Sequence, residues 1–172
     1  MVKTLHIYAV GGKSNSGDFF LGPATKSRFE SIMEKEVQWK NFDVRKTVTQ
    51  IDVDYFNTFD YLVIGGGGLF LPDTNPNKVS CWQWGCSENF YSKIEADIYI
   101  IAVGWNHFYG QDITMSSRNS ILTIDMSRYD IFRKNISSLL KNSAYFTMRH
   151  NGDCEKLKQI VEQEHHKKIN FE

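Results

Sequence analysis

A single α/β domain built on a parallel sheet, with helices on both faces, is the fold class this chain predicts. Three observations carry it. Strand-like runs alternate with helical patterns, the runs are apolar through their length rather than every second residue, and three of them end in glycine. At 172 residues the chain is long enough for one well-buried domain, and its 12 Phe, 8 Tyr and 4 Trp supply large side chains for a core.

The elements follow in order. Residues Thr4 to Val10 read as a first strand feeding Gly11-Gly12. From Asp18 a helical pattern begins, with Phe19, Leu21, Ala24, Phe29, Ile32 and Met33 as its apolar positions and Asp18 at the N-cap. A second strand is expected over Asp43 to Val48 and a helical turn over Asp52 to Phe59. Asp60 to Ile64 is the clearest strand and is expected to stop at Gly65. The long stretch from Leu69 to Asn89 carries Pro72, Pro76, Trp82 and Trp84, and connections of that length are commonly functional. A short helix is expected over Asn89 to Glu95, a strand over Asp97 to Val103 ending at Gly104, and an amphipathic helix over Tyr129 to Leu140. A strand over Ala144 to Met148 and a helix over Asp153 to Val161 complete the pattern. The domain is expected to span residues 1–163, with 164–172 a polar tail or the start of a second domain.

Charge and composition exclude several functions. Lys plus Arg and Asp plus Glu number 20 each, so no net field draws the chain to nucleic acid. No apolar run approaches the ~20 residues that span a bilayer, and the N-terminal apolar stretch lacks a signal-peptide cleavage pattern. Cys81, Cys86 and Cys154 lack metal-ligand spacing and read as reduced thiols, which places the protein in the cytoplasm and implies no metal. The sequon Asn135-Ile-Ser137 falls within a helical pattern and is read as chance.

In open parallel sheets ligands bind beyond the carboxyl ends of the strands, where glycine lets backbone amides approach an anion. The glycines at 11–12, 65–68 and 104 all fall at such ends, and a helix N-terminus near Gly17-Asp18 adds its partial positive charge. Tight turns between packed elements are the competing explanation for each. Two phosphate signatures are absent. Gly12-Lys13-Ser14 would need an upstream glycine where Ile7 stands, and no G-x-G-x-x-G spacing occurs.

Four segments, in order, resemble the polysaccharide pyruvyl transferase family. Gly12-Lys-Ser-Asn15-Ser-Gly17-Asp18 is similar to its G-x-x-N-x-G-D element, and Asp60-Tyr-Leu-Val-Ile-Gly-Gly-Gly-Gly68 to its second signature. Ile100-Ile-Ala-Val-Gly104 and Tyr145-Phe-Thr-Met-Arg149 are similar to its later strands. The resemblance spans roughly residues 4 to 160 and implies a Rossmann-like domain corresponding to one half of a GT-B fold. The activity implied is transfer of pyruvate from phosphoenolpyruvate, a donor substrate, to a saccharide or lipid-linked saccharide, the latter leaving peripheral membrane association open. No cofactor is implied. The chain is about half the length implied by the family, and His150 follows Arg149 where the family commonly has an acidic residue.

The residues carried over for substrate binding are Asn15, Gly17, Gly65, Gly66, Gly67, Gly68, Gly104 and Arg149, with Asn106 lining the cleft. Asp18 and His107 are the catalytic candidates, Asp18 as base or sugar ligand and alternatively as helix cap. Arg149 suits bidentate capture of phosphate or carboxylate and alternatively a surface ion pair. Trp82 and Trp84 offer stacking faces for an acceptor sugar, or alternatively plug the edge of the core. The competing functions are a non-catalytic small-ligand or nucleotide-binding module, an interaction module, and half of a GT-B-like glycosyltransferase.

Overall fold

The computed structural model describes residues 1–10, 16–72, 75–105 and 126–172. Six parallel strands form one sheet in the order β2-β1-β3-β4-β5-β6: β1 Val2–Tyr8, β2 Val37–Asp43, β3 Tyr61–Phe70, β4 Asp97–Trp105, β5 Ser143–Met148 and β6 Asn170–Phe171. The helices are α1 Ser16–Met33, α2 Val53–Phe56, α3 Glu88–Tyr91, α4 Met126–Asn142 and α5 Asn151–Lys158, with 3-10 turns at Gln50–Asp52 and Gln163–Lys168. This is a single-domain, Rossmann-like α/β fold.

Both faces of the central strands are covered, which is why their sequences read as unbroken apolar runs. On one face Val63 and Ile101 pack beneath Phe29 of α1. On the other, Leu62, Ile64, Ile98 and Ile100 meet α2, α3, α4 and α5 through Phe56, Phe90, Phe132, Ile136 and Leu157. Among the described residues no helix is long and apolar enough to cross a membrane.

Three boundaries differ from expectation. β2 lies six residues earlier than Asp43 to Val48, because residues 37–43 form an edge strand with several exposed side chains while Val44 and Val48 are buried in the turn that follows. β3 does not stop at Gly65 but runs through all four glycines to Phe70. The polar segment after residue 163 does not leave the sheet: it makes a 3-10 turn, and Asn170–Phe171 pair with Thr147 and Met148 as β6. Lys168 anchors it by donating to the carbonyls of Leu140 and Ser143 at 2.8 and 3.0 Å.

The long connection after β3 is tied down by buried polar groups. Asn135 of α4 accepts from Trp82 Nε1 (2.8 Å) and the Tyr91 hydroxyl (2.9 Å) and donates to the Cys86 carbonyl (2.6 Å). With 1% of its surface exposed, Asn135 cannot carry a glycan. The three cysteines are buried and form no disulfide. Replacing Asn135 with Ala strands two buried donors and a carbonyl, so N135A should lower unfolding free energy by roughly 3 kcal/mol, read from urea denaturation.

His6, in the middle of β1, is fully buried beneath α1 with neither ring nitrogen hydrogen-bonded, and it stacks on Tyr8 at 4.2 Å. Burial, reinforced by the Lys26 ammonium, pushes its pKa from 6.5 down to about 3. In that interval the unfolded chain binds a proton that the folded chain refuses. The stability from neutral His6 is therefore complete above pH 6.5 and lost as pH falls toward 3. Urea midpoints measured downward from pH 6.5 should fall more steeply for the wild type than for His6→Phe. The difference should be up to about 1.4 kcal/mol per pH unit.

Candidate functional site

The parallel sheet places the carboxyl ends of its strands on one rim, and the register aligns them. Gly67 pairs with Val103, and Val103 with Met148, so Gly68, Gly104 and Arg149 follow next across three neighbouring strands. Because α1 follows β1, its first turn, which includes Gly17 and Asp18, lies on the same rim. Asp18 is the third residue of α1, not its N-cap. Asn15, Asn106 and His107 lie outside the described residues.

The glycines divide into two groups. Gly65 and Gly66 are buried beneath α1. A Cβ on Gly65 would stand 2.3 Å from the Ile101 carbonyl oxygen, and one on Gly66 would stand 3.2 Å from the Leu21 backbone. They serve the approach of helix to sheet and present no amide to a ligand. Thr25 faces the same contact, its hydroxyl donating back within α1 to the Leu21 carbonyl at 2.9 Å. Gly66 and Gly67 have φ of +86° and +148°, and the β3–β4 register slips between Gly67 and Phe70. The backbone thus turns at Gly67 and first regains partial exposure at Gly68.

Arg149 is exposed, and its guanidinium lies across Gly104. A Cβ there would fall 2.6 Å from Cζ and 2.7 Å from a terminal nitrogen. Glycine at 104 is what lets the planar group rest on the end of β4. Among the described residues no carboxylate pairs with this guanidinium, so its fork of donors remains open to an anion. Next to it His150 Nε2 stands 3.3 Å from Asp153 Oδ1, while Asp153 Oδ2 is buried without a partner. The Asp153 carboxylate thus stands beside the exposed imidazole at the start of α5. Sequence reasoning noted His150 only as a departure from the family pattern. Its i,i+3 spacing to Asp153 across a helix start was the available signal.

Ala102 was also missed. Its φ of +50° is unusual for a residue with a Cβ, and its N–H donates to Thr147 Oγ1 at 3.1 Å. This pairing accompanies the β4–β5 register shift between Ile100 and Val103 and sets where Gly104 and Arg149 emerge. Nothing in the local sequence announces a left-handed alanine.

Trp82 and Trp84 do not serve as stacking faces. Both are 0% exposed and pack against Phe70, Phe56 and Phe90 in the core. Among the described residues no three His, Cys, Asp or Glu side chains gather to hold a metal.

No family model, curated protein or solved structure matches this chain. The functional reading therefore rests on the rim itself and on the motif order.

Two alanine substitutions should behave oppositely. Gly65→Ala drives a methyl into the Ile101 backbone and should lower stability by about 3 kcal/mol. Gly104→Ala meets only the movable end of Arg149, so thermal melting should stay within about 1 kcal/mol of wild type while the guanidinium is displaced. Calorimetric melting of both variants checks the pair.

Proposed function

We propose that this domain belongs to a ketal-forming transferase that moves pyruvate from phosphoenolpyruvate to a saccharide, as the ordered motifs suggest. The observation that carries the reading is the Arg149 guanidinium, unpaired among the described residues and lying across Gly104 on the carboxyl rim. An anion bearing carboxylate and phosphate, like phosphoenolpyruvate, suits such a donor fork.

In the proposed reaction two saccharide hydroxyls add to the central carbon of the enol phosphate. One hydroxyl proton ends on the terminal methylene, making it a methyl group, and the other leaves with inorganic phosphate. The product is a cyclic ketal. In this reading His150, whose Nε2 stands 3.3 Å from Asp153, accepts a hydroxyl proton, and Arg149 offsets charge on the departing phosphate. Asp18 and His107 remain candidates for the same proton transfers. A saccharide or lipid-linked saccharide is the proposed acceptor, and the cytoplasm the proposed location.

A second reading, anion binding without turnover, draws support from the burial of Gly65 to Gly67, which removes most of the expected amide row from contact with a ligand.

Titration calorimetry with phosphoenolpyruvate should give saturable binding that Arg149→Ala weakens about tenfold or more, equivalent to at least ~1.4 kcal/mol. Equal affinity in a folded R149A chain removes the arginine from the site. Phosphate release that depends on added glycan and falls in His150→Gln supports transfer, whereas binding without release selects the second reading.

A further inference from the structure

A cleft of about 610 Å³ opens beside the carboxyl ends of β2 and β3, away from Arg149. Arg45 and Thr47, which follow β2, form one wall. Leu71, Asn75, Pro76 and Gln83, from the connection after β3, form the other. The strand order β2-β1-β3 reverses between β1 and β3, and the cleft lies beside that switch point, lined by chain that follows β2 and β3.

The chemistry of the walls narrows the ligand. Arg45 is already engaged: it contacts Asp43 through Nε at 2.9 Å and through a terminal nitrogen at 2.7 Å, and it donates to the Val10 carbonyl. The same contacts hold the Asp43 carboxyl below its ordinary range. Arg45 thus offers little to a phosphate. The other polar side chains of the described lining are carboxamides and the Thr47 hydroxyl. Asn75 Nδ2 donates to Gln83 Oε1 at 3.0 Å, which fixes the orientation of the Gln83 amide. Gln83 Nε2 then has no hydrogen-bond partner among the described residues, and the Thr47 hydroxyl has none either. Leu71 and Pro76 supply apolar surface, and among the described residues no aromatic ring lines the cleft.

The wall is built rather than loose. Arg128 reaches from α4 to the carbonyls of Pro72 and Asn75, and Asn75 Oδ1 accepts from the Asn77 backbone at 2.8 Å. Asn77 in turn donates to Ser80 Oγ and the Trp82 carbonyl at 2.8 and 2.9 Å. Such bracing of a part-buried carboxamide matches what a binding group needs, since it removes the ordering cost at the moment of binding.

We propose that this cleft binds a neutral, flat heteroaromatic ring with its own amide-like edge, specifically the purine base of a nucleoside, between Leu71 and Pro76 and read by Gln83. Carboxamides pair with the donor–acceptor edges of bases, and apolar side chains cover the ring faces. The volume lies within the range of small-ligand pockets. This site is independent of the anion site at Arg149.

The test is titration calorimetry of the whole chain with adenosine, guanosine and, for comparison, methyl glucoside. One of the two nucleosides should bind more tightly than the glucoside, and Gln83→Leu should weaken it about tenfold without changing thermal melting. If Q83L does not fold, Thr47→Val, at an exposed position, is read in its place and should weaken binding measurably. Absence of nucleoside binding, affinity unchanged in the folded variant, or equal binding of the glucoside overturns the proposal.

Discussion

The contact between α1 and β3 is the constraint on which the rest of this molecule depends. At Gly66 the helix backbone at Leu21 comes so close that a single methyl would stand 3.2 Å from it, and at Gly65 the neighbouring strand leaves no room at all. Two consecutive residues without side chains let Phe29 reach Val63 and Ile101, which forms the smaller core. They also fix the height at which the helix crosses the sheet, and so where its first turn meets the rim. The glycine run that looks like a ligand cradle is, for half its length, a seat for a helix.

What remains at the rim is sparse and specific. Gly68, Gly104 and Arg149 follow one row of paired residues across three strands, and the irregularity at Ala102 moves that row relative to an ideal ladder. The guanidinium sits where helix starts and strand ends already favour negative charge. His150 and Asp153 lie 3.3 Å apart in the turn of chain that follows. Arg45, by contrast, is neutralised by Asp43, so the β2–β3 side of the rim differs in character from the β4–β5 side. Among the described residues, a chain with no net charge overall thus carries on the same rim one guanidinium paired with a carboxylate and one that is not.

The central strands were legible because covering both faces of a strand demands continuous apolar sequence, as in Tyr61 to Ile64 and Ile98 to Ile101. β2 was not, because an edge strand reads V-Q-W-K-N-F-D and the following Val44 and Val48 imitate a strand while filling the core from a turn. β6 has two residues, too few for any period to register, and its pairing depends on the Lys168 anchor. Arg149 and Gly104 were legible as strand-end residues, but not the fact that one lies upon the other. Trp82 and Trp84 were misleading as stacking surfaces: a polar, proline-bearing connection gives no local sign that its indoles turn inward to meet Phe70 and Phe90. His150 gained meaning only when the helix start brought Asp153 beneath it.

Asn135 fastens two pieces of chain to α4 at one amide: the connection after β3, through the Trp82 indole and the Cys86 carbonyl, and α3, through the Tyr91 hydroxyl. A segment fastened in this way cannot swing as a lid without breaking buried hydrogen bonds and drawing α4 with it. Any molecule reaching the neighbouring cleft therefore meets a fixed wall on this side, and its residence time is set by the contacts it makes there.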